Sequence, residues 1–121
     1  MKLVQGIIRN DRLADVQKAL ESIGVTVYTL SATIGSGERH RGDAGDLGSL
    51  RPHLRLEVAI PDSLEEKIVQ TVREAAGHGE SAEGVIFVLD LKRAIKIRTG
   101  QEGNPAIMPD DYVLTEADLV R

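Results

Sequence analysis

The chain has 121 residues and a mass of 13.1 kDa, room for one domain that buries about two-thirds of its unfolded surface. A formal net charge of -4 excludes a general nucleic-acid binder, which needs a basic stripe, and the lack of cysteine excludes disulfides, thiol redox chemistry and thiolate metal sites. Aromatic residues make up 2%, so the core has to rest on Val, Ile, Leu and Ala and gains from burying a further face in an oligomer. Without a signal-peptide h-region, a basic amphipathic helix or an apolar run near 18 residues, the chain is expected to be soluble and cytoplasmic.

Leu3 to Ile8 reads as a short, mostly buried strand. Asp11 is placed to cap the next helix, where Leu13, Val16, Leu20 and Ile23 form a core-facing stripe that Gly24 stops. Val25 to Ile34 is rich in β-branched residues and predicts a second strand. Leu54, Leu56, Val58 and Ile60 alternate with Arg55, Glu57 and Ala59, which predicts a strand with one wet face. Pro61-Asp62-Ser63 opens a second helix, with Ser63 and Glu66 spaced as a capping box and Leu64, Ile68, Val72 and Ala75 as its stripe. Val85 to Leu91 is a fourth strand, and Ala94 to Arg98 a short fifth. The doubled strand–helix–strand order predicts an α+β, ferredoxin-like βαββαβ sandwich: a mostly antiparallel sheet with two helices on one face.

Two segments stand out. Residues 35–52 alternate five glycines with Glu38, Arg39, Arg41, Asp43 and Asp46, and Leu47 and Leu50 are the only larger apolar side chains. Such a segment buries too little to offset its ordering entropy, so it is expected to move when no ligand is present. Lys96 and Arg98 lie two apart; on a strand they share a face at roughly 6.6 Å, a spacing that suits neighbouring phosphate groups. An exposed edge strand paired with acidic neighbours stays open as their alternative role.

Met1-Lys-Leu-Val-Gln-Gly-Ile-Ile, Leu13-Ala-Asp-Val-Gln-Lys-Ala-Leu-Glu-Ser-Ile-Gly-Val and Val88-Leu-Asp-Leu-Lys-Arg-Ala-Ile-Lys-Ile-Arg-Thr-Gly together resemble the PII signalling family over residues 1–107. The resemblance implies a homotrimer that binds adenine nucleotides between subunits. It also implies that the 35–52 loop docks on a membrane transporter or a cytoplasmic enzyme, in carbon or nitrogen metabolism. It implies regulation by binding, without turnover. Carried over residue by residue, Thr29 stands near the adenine, Gly35, Ser36 and Gly37 form the base of the loop, and Lys96 and Arg98 hold phosphates. The family's phosphate loop corresponds to residues 77–84; here it ends in Gly84 followed by Val85, where the family usually has lysine.

Glu80 and Glu83 also enter that phosphate segment. Like charges at a partly screened site cost on the order of 1 kcal/mol or more. A triphosphate feels this most, so ADP or AMP is expected to compete better than in a usual member, and ATP binding stays open. Glu38-Arg39 replaces the Arg-Gln of relatives that sense 2-oxoglutarate, which argues against that response. The loop also lacks a tyrosine to modify, since the two tyrosines are Tyr28 and Tyr112. A branch that reads energy state together with a small anion such as bicarbonate is left open, with Arg39, Arg41 and Arg51 as the attracting charges.

Residues 108–121 extend past the family's usual end; Thr115 with Asp118 can start a short helix whose apolar side is Tyr112, Leu114, Leu119 and Val120. Packing on a neighbouring subunit and a lid or partner contact are both open for this tail. Catalysis lacks an assembled set: His40, His53 and His78 are scattered, and Asp62-Ser63 has the spacing of a helix cap. The alternative function is a metal- or anion-binding trimer of similar fold without nucleotide sensing, although His40, Asp43 and His53 match no metal-ligand spacing. The target protein, the preferred adenylate, the second effector and the role of the tail are not legible at this level.

Overall fold

The structure is a computed structural model that describes residues 1–35, 50–77 and 83–109. Chain order is β1 (Lys2–Arg9), α1 (Leu13–Ser22), β2 (Thr29–Gly35), β3 (Arg51–Ile60), α2 (Glu65–Ala76), β4 (Gly84–Asp90) and a one-turn α3 (Asn104–Ile107). The strands form one sheet in the order β2-β3-β1-β4, and every neighbouring pair is antiparallel. This is the expected ferredoxin-like sandwich.

Period-two alternation sends Val4 and Ile8 of β1 and Leu56, Val58 and Ile60 of β3 to the side covered by the helices. They meet Val16 and Leu20 of α1 and Ile68 and Val72 of α2, and all nine side chains are buried. Burying each contributes about 1.5–3 kcal/mol, which is why an almost wholly aliphatic set can hold the fold. The helix stripes expected from spacing are the ones that face inward.

Helix ends depart from the expected caps. Asn10–Arg12 and Asp62–Leu64 are single 3-10 turns, and neither helix entry has a side-chain cap. The Asp11 carboxylate instead accepts from Arg9 Nη2 at 2.6 Å, and Asp62 pairs with the Met1 ammonium at 2.8 Å. Both acids have a full positive charge within reach, a stronger partner than a backbone N–H. The C-terminal stop is as expected: Gly24 takes φ +84°, and Val25 N–H donates to the Leu20 carbonyl at 2.9 Å.

Two strands differ from their sequence outlines. Val25 to Tyr28 make no ladder, and β2 begins at Thr29. Ala94 to Arg98 is not a strand: Ile95 makes one bridge to Glu102, Lys96 N–H donates to the Gln101 carbonyl at 2.8 Å, and Gly100 N–H returns to the Lys96 carbonyl at 2.7 Å. Gly100 at φ +76° reverses the chain. Turn chemistry here overrides the alternating Ile95 and Ile97, which imitate a strand. Most of the glycine-rich 35–52 segment, and the helix expected from Thr115, lie outside the described residues. No helix among the described residues is long and apolar enough to cross a membrane.

Candidate ligand-binding site

Among the described residues, no helix layer covers the second face of the sheet. That face presents Thr29, Ser31 and Thr33 on β2, Arg55, Glu57 and Ala59 on β3, Leu3, Gln5 and Ile7 on β1, and Val85, Phe87 and Leu89 on β4. Its β4 side is apolar and open: Phe87 is 47% exposed, with Val85 and Leu89 close to that value. Its β2–β3 side is polar, and Arg55 Nε donates to Ser31 Oγ at 3.2 Å while lying 3.5 Å from the Glu57 carboxylate.

At one end of this face a cavity of about 320 Å³ is lined by Thr29, Leu3, Glu57 and Ala59 from the sheet, with Ala106 and Ile107 of α3 across from them. Lys96 is tied to the same wall, because its Nζ donates to the carbonyl of Met108, the residue after α3, at 3.2 Å. Arg98 sits in the exposed turn beside a fully exposed Ile97. The expectation that Lys96 and Arg98 project together from a strand is thus corrected: the residues flank the tip of a turn.

The other end holds Gly35, paired with Arg51, and Gly84 with Val85. Among the described residues nothing lies within 4 Å of where a Cβ on Gly35 would stand, which suits close approach to the backbone there. Gly84 is fixed by the sheet itself: its φ is +121°, and a Cβ would come within 2.1 Å of the Ile7 carbonyl oxygen. Gly84 and Val85 also border a second cavity of about 400 Å³, reaching under Arg73 and Gly77. Arg9 and His53 are opposed across β1 and β3, and Arg51 and Arg55 flank His53 on its own strand. Four basic side chains therefore gather at this end. Two of them, Arg9 and Arg55, escaped the sequence-based choice of site residues, and His53 entered it only through the metal alternative. Alternation puts each on the wet face, but the register that brings Arg9 opposite His53 cannot be read from one strand alone.

The sequence-derived site is not a single cluster within one chain. Thr29 and Gly35 are six residues apart on β2, about 20 Å along the strand. Thr29 and Lys96 belong to one end, and Gly35, Arg51, Gly84 and Val85 to the other. Ser36, Gly37, Arg39 and Arg41 lie outside the described residues, as do His40 and Asp43 of the metal alternative. Among the described residues no three His, Asp or Glu side chains stand close enough to hold a metal ion.

The resolved charge perturbations lie at the Thr29 end of the sheet, at Lys2 beside Leu3 and at Asp62 just past β3. Asp90 hydrogen-bonds Lys2 and holds its ammonium above the ordinary lysine range, and the Met1 ammonium holds the Asp62 carboxyl below the ordinary carboxylate range.

The profile of the family described as nitrogen regulatory protein P-II matches residues 1–101. The chain belongs to the PII family. It is 35% identical over 113 residues to the nitrogen regulatory protein P-II of Haemophilus influenzae, covering 88% of this chain and all of that protein. Nitrogen regulatory protein P-II 1 of Escherichia coli K12 matches with the same identity and coverage. Among solved structures, Arabidopsis thaliana PII bound to citrate superposes with a TM-score of 0.73 at 30% identity, covering 87% of this chain and 90% of that one. This PII chain is accordingly a regulatory signal transducer and not an enzyme.

Proposed function

We infer that this PII protein is a homotrimer that binds adenine nucleotides at the seams between copies and regulates a transporter or enzyme through its 35–52 loop. The observation that carries this reading is the split of the candidate residues between two ends of one sheet face, with an uncovered apolar strip on β4 beside them. A cyclic, head-to-tail assembly that covers Val85, Phe87 and Leu89 can set the Lys96–Arg98 end of one copy against the Gly35–Gly84 end of the next. A ligand with an apolar base and a charged tail suits such a seam. The base has the Thr29 cavity, which is largely aliphatic, and the phosphates have Lys96 and Arg98 with the open backbone at Gly35.

ADP or AMP is the favoured occupant, and ATP the weaker one, because Glu83 stands beside Val85 in the segment where the family places a lysine. Glu38-Arg39 makes 2-oxoglutarate sensing the wrong choice of second signal. The basic group of Arg9, Arg51, His53 and Arg55 favours a small anion such as bicarbonate. The same group supports a second reading, an anion-binding trimer without nucleotide sensing, and the citrate carried by the Arabidopsis neighbour fits that reading equally.

Titration calorimetry with ADP, AMP and ATP, each with and without bicarbonate or 2-oxoglutarate, separates the two. The account expects heat with ADP and AMP, at least tenfold weaker binding after Lys96→Glu with Arg98→Glu, and an unchanged sedimentation coefficient. Heat with bicarbonate or citrate but with no nucleotide would establish the anion reading instead.

A further inference from the structure

Tyr28 joins the two layers of the sandwich just where the Thr29 cavity begins. Its side chain is half-buried against the aliphatic core, and its Oη accepts a hydrogen bond from Gln17 Nε2 of α1 at 3.2 Å. Gln17 is itself half-buried, between the core residues Val16 and Leu20 of the same helix. The next residue along the chain, Thr29, opens β2 and belongs to the opposite face, where it lines the cavity. An anchor in the helix layer therefore sits one residue away from a wall of the candidate site.

The walls of that cavity are not held equally. Leu3, Glu57 and Ala59 lie in the paired strands β1 and β3. Val27 and Tyr28 line it as well, but both precede the ladder, whose first pair on β2 is Thr29 with Glu57. Burial does little for Val27, which is 52% exposed. The segment is tied at its start by Val25 N–H donating to the Leu20 carbonyl at 2.9 Å, and at its end by Gln17 donating to Tyr28. Both ties run to α1. A ligand that meets a frayed wall has to order it on binding, so affinity falls with the fraction of time the wall is in place.

We propose that Gln17 and Tyr28 are positioning residues for this cavity: their hydrogen bond holds the Val27–Thr29 wall in the form that receives the base of an adenine nucleotide. Both act through Val27 and Thr29. The assignment of the base rests on the function proposed above; the tether of the wall to α1 does not.

Gln17→Leu removes the hydrogen bond at similar size and helix propensity, and Gln17→Glu restores it, because the Tyr28 hydroxyl can donate to the carboxylate. Methyl carbon-13 NMR without ligand tests the tether. Gln17→Leu should shift or broaden the Thr29 methyl signal and spare that of Thr71 on α2, and Gln17→Glu should keep both at their wild-type positions. A Thr29 signal that ignores Gln17→Leu, or that moves equally in Gln17→Glu, overturns the tether.

Calorimetry with ADP then tests the positioning. Gln17→Leu and Tyr28→Phe should each bind about fivefold more weakly, the order of one net hydrogen bond, and Gln17→Glu should stay within about twofold of the wild type. The double variant Gln17→Leu with Tyr28→Phe should bind no more weakly than either single one, since both remove the same bond. A lowered thermal midpoint with ADP affinity unchanged, or losses that add in the double variant, overturns the positioning role. Failure of ADP to bind the wild type overturns the nucleotide reading alone, and the Thr29 spectra still decide the tether.

Discussion

The two faces of the sheet are built from the same strands and have opposite fates. On the helix side, Val4, Ile8, Leu56, Val58 and Ile60 vanish into an aliphatic core against α1 and α2. On the other side, Val85, Phe87 and Leu89 of β4 stay open and apolar, while Gln5, Ser31 and Glu57 are half-buried and polar. A side chain in the core has one demand, to fill space, and any aliphatic residue of the right volume meets it. The open face has several: to cover β4, to position Thr29 and to gather Arg9, His53 and Arg55. The comparison teaches that stability and function are interleaved at single-residue spacing, so neighbouring substitutions should fail in different ways.

The largest expected effect lies on the covered face. Leu56 is fully buried at the centre of β3, and Leu56→Ala should lower unfolding stability by about 2–5 kcal/mol in a denaturant titration, the range for a large-to-small change in a packed core. A loss below about 1 kcal/mol would mean that the helix side is not the dry layer described. Two strands away and on the other face, Phe87→Asp should do the reverse. It should leave the chain folded by circular dichroism and dissociate the proposed assembly in sedimentation velocity, because it places a charge in the strip that the proposal has a second copy cover. An intact trimer carrying Phe87→Asp would show that this face is not the interface.

The smallest effect belongs to neither face. Asp62 is held below its ordinary range by the Met1 ammonium, so the pair's contribution is present above the unfolded carboxylate's value, about 4, and is lost as pH falls through the lower folded value. Asp62→Asn should therefore lower the thermal midpoint slightly at pH 7 and leave it unchanged near pH 2. The pair is solvent-exposed on the Asp62 side, and high salt should erase most of the difference.

How much of this was legible follows from the same contrast. The core face announces itself in the spacing of Val16, Leu20, Ile68 and Val72 and in the alternation from Leu54 to Ile60, because burial selects residue type directly. The helix stop at Gly24 was legible for the same reason, since a positive φ selects glycine. The caps at Asp11 and Ser63 were not. Whether an acidic or hydroxyl side chain caps a helix or finds a cation depends on what the fold brings near, here Arg9 and the Met1 ammonium. The strand expected at Ala94 to Arg98 failed because Ile95 and Ile97 alternate without a neighbouring strand to pair with, while Gly100 turns the chain. The candidate residues Thr29, Gly35, Lys96 and Arg98 were chosen from a family pattern, and the fold sets them at two ends of one sheet face. The grouping of Arg9, His53, Arg55 and Glu83 depends on strand register and on a crossing over β1, which leave no mark on local sequence.

A site shared between copies can be tested by complementation. One chain carries Lys96→Glu with Arg98→Glu, the other Arg51→Glu at the opposite end, and each is assembled alone or unfolded and reassembled together. The account expects neither pure assembly to bind ADP in calorimetry, and the mixture to recover a fraction of the sites, those where an intact end of one copy meets an intact end of the next. A mixture that binds no better than its two components would contradict it.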